Sequence, residues 1–151
     1  MIHDVKIKRL NFIPDDRGRL LEILRNDDEI FEQFGQVYIT TCYPGVIKAW
    51  HMHKIQNDNM VVISGMAKIV LCDLRDGSPT YKIVDEFVTG DFNPLLIHIP
   101  AGIYHGFMCV STSEAIILNI PTHPYNHKSP DEFRLPFNTE TIPYSWERKN
   151  R

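Results

Sequence analysis

The sequence predicts an all-β fold, and three observations carry that prediction. Short runs rich in Val, Ile, Tyr and Phe recur along the chain. Proline and glycine punctuate them at short intervals: Pro14, Gly18, Pro44 and Gly45, Gly65, Gly77 and Pro79, Gly90, Pro94, Pro100, Gly102. The longest apolar stretches, Met60 to Ile63, Ile69 to Cys72 and Ala115 to Leu118, are strand-sized and far short of the ~20 residues that cross a bilayer. Regular short strands between turns make a sandwich or barrel. At 151 residues and 17.6 kDa the chain has material for one core, so residues 1–151 are read as a single domain.

The elements follow in order. Residues 1–6, MIHDVK, mix charge with apolar side chains and lack a continuous hydrophobic stretch. The expectation is a cytoplasmic protein without a signal peptide. Asp27 to Phe34 carries acids at its start and Ile30, Phe31 and Phe34 at helical spacing, which predicts a short helix or helical turn. Gly35 to Cys42, Asn59 to Ile63, Ala67 to Leu74, Tyr81 to Val88, Leu96 to Ile99 and Ala115 to Ile120 read as strands. From Pro121 onward Pro and His are frequent and periodicity is weak. Tyr125, Phe133, Phe137, Tyr144 and Trp146 are too apolar for a free tail, so this part is read as ordered loop packed on the domain.

Composition narrows the class. A 43% hydrophobic and 23% charged chain buries a core and is neither disordered nor fibrous. The net charge is −3, from 16 basic and 19 acidic residues, and no Lys/Arg run reaches four. That argues against a nucleic-acid-binding module and against a polybasic membrane anchor. Cys42, Cys72 and Cys109 are odd in number and lack C-x-x-C spacing, so they are read as buried reduced thiols.

Histidine spacing points to chemistry. His51 and His53 are one residue apart. On a strand alternate side chains share a face, so both imidazoles point the same way. The block 99–107, IPAGIYHGF, places His105 at a turn before the next strand. His3, His98, His123 and His127 are read as surface polar groups, whereas His51, His53 and His105 converge on one pocket.

This spacing is similar to the two motifs of the cupin superfamily. The first, G-x5-H-x-H-x3–4-E-x6-G, is met by Gly45, His51, His53, Asp58 and Gly65, with Asp in place of Glu. The second is met by Pro100, Gly102 and His105, while Pro94 and Cys109 stand where its outer Gly and Asn belong. The resemblance implies a cupin-type antiparallel jelly-roll barrel, here with one or two short helices, and a pocket in its mouth.

A longer resemblance covers nearly the whole chain. Residues 15–22, DDRGRLLE, look like the D-x-R-G-x-x-x-E entry of the dTDP-4-dehydrorhamnose 3,5-epimerases. Gln36 to Tyr38 stands where that family has Q-x-N. Residues 45–51, GVIKAWH, resemble G-V-x-R-G-L-H, and residues 73–80, DLRDGSPT, resemble D-L-R-x-G-S-P-T. Residues 99–107 resemble I-P-x-G-x-x-H-G-F, Thr122 to Tyr125 lies at T-x-x-Y, and Ile142 to Trp146 is similar to the late I-x-W.

The resemblance implies an epimerase or isomerase of a nucleotide-linked 4-keto-6-deoxy sugar in polysaccharide sugar biosynthesis. By the same resemblance His51 is the base and Tyr125 the acid on the opposite face. Lys48, in the family's Arg position, stabilises the enolate together with His105. Arg17 and Glu22 are nucleotide contacts reaching a neighbouring subunit's pocket, and Gln36 is a further substrate contact. Arg75 adds positive charge to the site or holds its own turn. A homodimer with exchanged strands and no cofactor completes the expectation.

Three departures open alternatives. The family's base is oriented by an Asp after the I-x-W block, and none of the five residues after Trp146 is Asp; Asp131 or Asp58 could take its place. Asp58 stands where the family has a pocket lysine, and His53 where it has Gln. The last two changes recreate a metal-ligand pattern, His51, His53, Asp58 and His105, which suits a divalent metal ion. A metal-binding cupin isomerase or oxygenase, and a non-catalytic sugar-binding cupin, therefore stand beside the epimerase reading.

Overall fold

A computed structural model describes residues 1–147, which form twelve strands and no helix. One five-stranded antiparallel sheet runs β1 (Lys6–Arg9), β9 (Leu95–Ile99), β6 (Asp58–Ser64), β11 (Ala115–Asn119), β4 (Tyr38–Cys42). The other runs β12 (Phe133–Arg134), β5 (Ile47–Met52), β10 (Ile103–Cys109), β7 (Met66–Asp73), β8 (Val84–Gly90). A separate hairpin pairs β2 (Phe12–Asp15) with β3 (Gly18–Leu21).

Strand alternation sorts the side chains into three layers. Met60 and Val62 of β6, Ala67, Ile69 and Leu71 of β7, Leu95, Ile97 and Ile99 of β9 and Phe107 of β10 fill the space between the sheets. Val61 and Leu96 face outward from the first sheet and are covered by Leu10 and Ile30. Val70, Cys72 and Met108 face outward from the second and are covered by Trp50, Ile142 and Trp146. Both faces are thus dry where these strands run. That explains why their sequences read as unbroken apolar runs instead of alternating ones.

Of the two forms expected over Asp27 to Phe34, helix and turn, the structure has turns, held by Asp28 N–H to Arg25 C=O (3.2 Å) and Phe31 N–H to Asp28 C=O (3.0 Å). Asp28 accepts from the Arg25 backbone N–H and from the Lys8 ammonium, both at its Oδ2. Glu32 accepts from Asn57, and Gln33 donates to the Thr122 carbonyl. These tertiary bonds fix the segment against β1 and the 121–123 loop, and the weak local propensity yields. Two strands also differ from expectation at their starts: the first begins at Tyr38 and the one before Gly90 at Val84. His105 lies within β10, not in the turn ahead of it.

Arg75 holds a turn. Its guanidinium and backbone N–H bond the Asp73 carboxylate at 2.9–3.0 Å, and it reaches the His3 carbonyl and Asp4. Ser78 and Thr80 donate hydroxyls to the same carboxylate at 2.6 and 2.7 Å. Burial pushes Asp73 up, but these donors outweigh it and hold the group well below the usual carboxylate range. The D-L-R-x-G-S-P-T block is therefore a closed network tying the β7–β8 connection to the N-terminus. Asp73→Asn should cost about 3 kcal/mol of unfolding free energy at neutral pH, because it leaves Arg75 and two hydroxyls short of their acceptor. Because the folded pKa lies below the unfolded one, the gap to wild type in urea unfolding should narrow as pH falls below about 4.

Candidate functional site

The space between the sheets is packed at one end and polar at the other. On β6, Asp58 follows the inward parity of Met60 and Val62. On β11, Asn119 follows Ala115 and Ile117, and on β4, Tyr38 and Thr40 follow Cys42. On β10, His105 lies between Ile103 and Phe107. The inward face thus changes from aliphatic to polar along the barrel and leaves a cavity of about 760 Å³.

β5 closes this cavity. His105 pairs directly with His51, but Phe107 pairs with Lys48, so the register slips by one residue between them. The slip reverses the alternation, and Lys48 and His51 both line the cavity despite their odd spacing. The two strands approach closely because residue 106 is glycine. A Cβ there would sit 2.4 Å from the Ala49 Cβ.

The floor is organised around Asp58, whose side chain is 2% exposed. Its Oδ1 accepts from Gln56 Nε2 at 3.0 Å and Asn119 Nδ2 at 2.9 Å. Its Oδ2 lies 3.3 Å from His53 Nε2 and 3.4 Å from His105 Nε2. The other nitrogen of each imidazole is also engaged. His53 Nδ1 meets the Asp131 carbonyl, and His105 Nδ1 meets the Ile103 carbonyl at 3.1 Å. The Asp131 carboxylate in turn accepts the backbone N–H groups of Lys54, Ile55 and Gln56. Burial pushes His105 down while Asp58 pulls against it.

His51 is different. Among the described residues no hydrogen bond holds either of its ring nitrogens. Its ring meets His105 edge-on at 6.2 Å between centroids. Burial pushes its pKa down to about 4, helped by His105 and by the Arg134 charge, so the ring is neutral at physiological pH.

Lys48 donates to Thr40 Oγ1 at 3.1 Å. Gln36 and Tyr125 also line the cavity, and the Tyr125 N–H donates to Gln36 Oε1 at 3.2 Å. Tyr125 is 43% exposed, and its ring stands edge-on to His127 at 4.9 Å. The structure therefore brings together His51, His53, His105, Lys48, Gln36 and Tyr125, with Asp58 beneath them.

Three expected contacts stand elsewhere. Arg17, at the β2–β3 turn, is 84% exposed and pairs with Asp15 at 2.6 Å. Glu22 pairs with Arg25 at 3.3 Å. Neither lines this chain's own cavity, and Arg75 is bound into the Asp73 network described above. Thr40, Asn119, Glu132 and Arg134 line the cavity without having been singled out in the sequence, and so does His127, which was read as a surface polar group; His98, read the same way, is buried with its Nδ1 3.0 Å from Asn59 Oδ1. For Asn119 the signal was the inward alternation Ala115, Ile117, Asn119. Glu132 and Arg134 carried no such signal, since the passage around them has no periodicity.

The matched metal-ligand pattern is met in part. His53, Asp58 and His105 offer ligand atoms within 4.8 Å of one another, and His51 stands outside that group.

Comparison with known proteins fits this geometry. The family described as dTDP-4-dehydrorhamnose 3,5-epimerase matches residues 1–150. The spore coat polysaccharide biosynthesis protein SpsL of Bacillus subtilis is 40% identical over 151 residues, covering 100% of each chain. A dTDP sugar isomerase structure from Desulfovibrio desulfuricans G20 superposes with a TM-score of 0.91 at 29% identity, over 96% of this chain and 92% of that one. A dTDP-6-deoxy-D-glucose-3,5-epimerase from Legionella pneumophila, solved with dTDP-4-keto-L-rhamnose, superposes at 0.84 with 25% identity, over 96% and 79%. Sequence profile, full-length relative and jelly-roll superposition agree: the chain belongs to the dTDP-4-dehydrorhamnose 3,5-epimerase family, a nucleotide-sugar epimerase by descent and by fold.

Proposed function

We propose that this chain epimerises a nucleotide-linked 4-keto-6-deoxy sugar for polysaccharide synthesis, with His51 as base and Tyr125 as acid. One observation carries the reading: of the three motif histidines His51, His53 and His105, only His51 has unengaged ring nitrogens, and it is neutral. A 4-keto group acidifies the C–H bonds at C3 and C5. His51 takes the proton, and the bonding electrons move to the ketone oxygen to give an enolate. The Lys48 ammonium is the cation available to that oxygen. Tyr125 then returns a proton from its hydroxyl to the opposite face of the carbon. Solvent removes the proton from the imidazolium and restores that of the phenolate. No redox change occurs, so this route uses no cofactor. His105, with both nitrogens turned into the floor, acts on the substrate as a wall and not as a donor.

His51→Ala should lower solvent deuterium exchange at C3 and C5 of a 4-keto sugar nucleotide by at least ~100-fold. Tyr125→Phe should keep exchange but lose the inverted product. Exchange at the wild-type rate in His51→Ala would remove the base assignment. Absence of exchange in wild type, with intact nucleotide binding, would make the chain a sugar-binding protein. In the free enzyme kcat/KM should fall on the acid side near pH 4, where His51 gains its proton, and not near the ordinary 6.5.

A second reading is favoured by the geometry of the floor. A tetrahedron with 2.0–2.1 Å metal–ligand bonds has edges of about 3.3–3.4 Å, and Asp58 Oδ2 lies 3.3 and 3.4 Å from the two Nε2 atoms. The backbone carbonyls at both Nδ1 atoms and the amides on Asp58 Oδ1 are the outer hydrogen bonds that orient metal ligands. Two imidazoles that donate through Nδ1 also present bare Nε2 lone pairs to one carboxylate, which calls for an extra proton or a cation. His53, Asp58 and His105 would hold such an ion, and it would supply Lewis-acid charge beside the ketone. Metal content of untagged protein separates the readings. Less than 0.1 equivalent after purification without chelator supports the cofactor-free route. A stoichiometric ion whose removal stops exchange replaces it.

The reading extends to assembly and place. Edge strand β4 exposes Ile39 (57%), and the β2–β3 hairpin exposes Ile13 (58%) and Leu20 (55%). Exposed edges and apolar hairpins suit exchange between two copies, which would carry Arg17 and Glu22 to the partner's nucleotide. Sedimentation equilibrium should give twice the 17.6 kDa chain mass; a monomer at micromolar concentration would remove this contact. Three buried free cysteines suit the reducing cytoplasm.

A further inference from the structure

Glu132 and Arg134 line the cavity and have no part in the proton transfer above. Arg134 pairs with His51 across β12 and β5. Residues directly opposite in an antiparallel pair send their side chains to the same face, so the guanidinium rises beside the base. Its Nε and Nη2 donate to one oxygen of Glu132 at 2.9 and 2.7 Å. The Glu132 side chain is 22% exposed and that of Arg134 67%. Glu132 is thus the more buried end of the pair, and its two hydrogen bonds leave Arg134 Nη1 outside the contact.

Stability does not account for this arrangement. An ion pair between near neighbours on an exposed two-residue strand contributes about 0–1 kcal/mol. Charge in the cavity does account for it. Among the described lining residues the permanent cations are Lys48 and Arg134. Lys48 is bonded to Thr40 on the inner wall, close to the reacting end. A nucleotide sugar carries a diphosphate with two negative charges, and that group needs a cation further out than the ketone. A guanidinium presents parallel N–H donors that match two phosphate oxygens, and Glu132 keeps it from folding away.

We propose that Arg134, braced by Glu132, binds the diphosphate of the nucleotide sugar at the cavity mouth and thereby sets the sugar ring against His51. The inference rests on the nucleotide-sugar reading and adds a phosphate contact supplied by the chain's own cavity wall. Arg134 is a binding residue here, and its loss acts on affinity.

Titration calorimetry of the full chain with dTDP tests it without any turnover. Arg134→Met keeps the aliphatic stem and removes the charge; it should weaken dTDP 10- to 100-fold. Arg134→Lys should recover part of that loss. The salt dependence of dTDP affinity should become shallower in Arg134→Met, because one phosphate–cation contact is gone. Thymidine, which has no phosphate, should bind wild type and Arg134→Met alike. Unaltered dTDP affinity in Arg134→Met overturns the proposal, and so does an equal loss for thymidine. With substrate, Arg134→Met should raise KM, in line with the loss of dTDP affinity. Failure of the base assignment is read separately, since His51→Ala exchange kinetics do not enter the dTDP titration.

Discussion

A carboxylate 2% exposed needs partners on both oxygens, and Asp58 is met from four segments: two amides donate to its Oδ1, and two imidazole Nε2 atoms lie 3.3 and 3.4 Å from its Oδ2. Gln56 comes from the loop before β6, Asn119 from β11, His53 from the end of β5 and His105 from β10. An unpaired charge at that depth would cost several kcal/mol, so these segments are held to one arrangement. Asn119 passes the constraint on to Tyr38, whose hydroxyl accepts from the same amide nitrogen at 2.9 Å. The chemistry of the cavity follows by subtraction. His53 and His105 spend their nitrogens on the floor, and His51 is left with its own.

The strand carrying His51 is fixed from both sides. Beside it in the sheet, Gly106 lets β10 approach without a Cβ in the way. Outward, Trp50 lies in the second outer layer, 5.0 Å from Trp146 and 6.0 Å from Tyr144 between ring centroids. Tyr144 donates its hydroxyl to Glu86 at 2.5 Å, and the Lys68 ammonium lies 5.4 Å from the Tyr144 ring. The aromatic residues near the C-terminus thus brace β5 from behind, and β12 pairs with it edge to edge. Loss of this clamp would move the base, although none of its residues faces the cavity.

β6, β7, β9 and β11 were legible because burial on both faces leaves apolar runs too short for anything but a strand, whereas β1, β2, β3 and β12, of four residues or fewer and partly exposed, gave no such run. The floor was legible because the H-x-H spacing survives as geometry, His53 keeping the parity of His51. Asp58 stood out for the same reason, at the carboxylate position of a matched motif. What the sequence concealed lies where tertiary contacts decide. The acidic start of Asp27 to Phe34 suits a helix, but Asp28 is used by Lys8 and Arg25. Arg75 could be read as charge for the site or as the holder of its own turn, and only the Asp73 carboxylate decides for the turn. Arg134 lies in a Pro- and His-rich passage without periodicity; only its pairing with β5 gives it a place.

The low basicity of His51 constrains the proposed reaction quantitatively. Lowering an imidazole from 6.5 to about 4 removes about 3 kcal/mol of driving force for taking a proton from carbon. In exchange the base is unprotonated through the whole neutral range, so no population is lost to the imidazolium. The deficit falls on the enolate side of the equilibrium. A single well-placed donor to a developing oxyanion contributes about 3–4 kcal/mol, which matches it. Lys48 stands on the same strand as His51, its alternation reversed by the register slip so that both face the cavity. The proposed reaction therefore depends on the slip between Phe107 and His105: without it the ammonium would point away from the cavity and could not offset so weak a base.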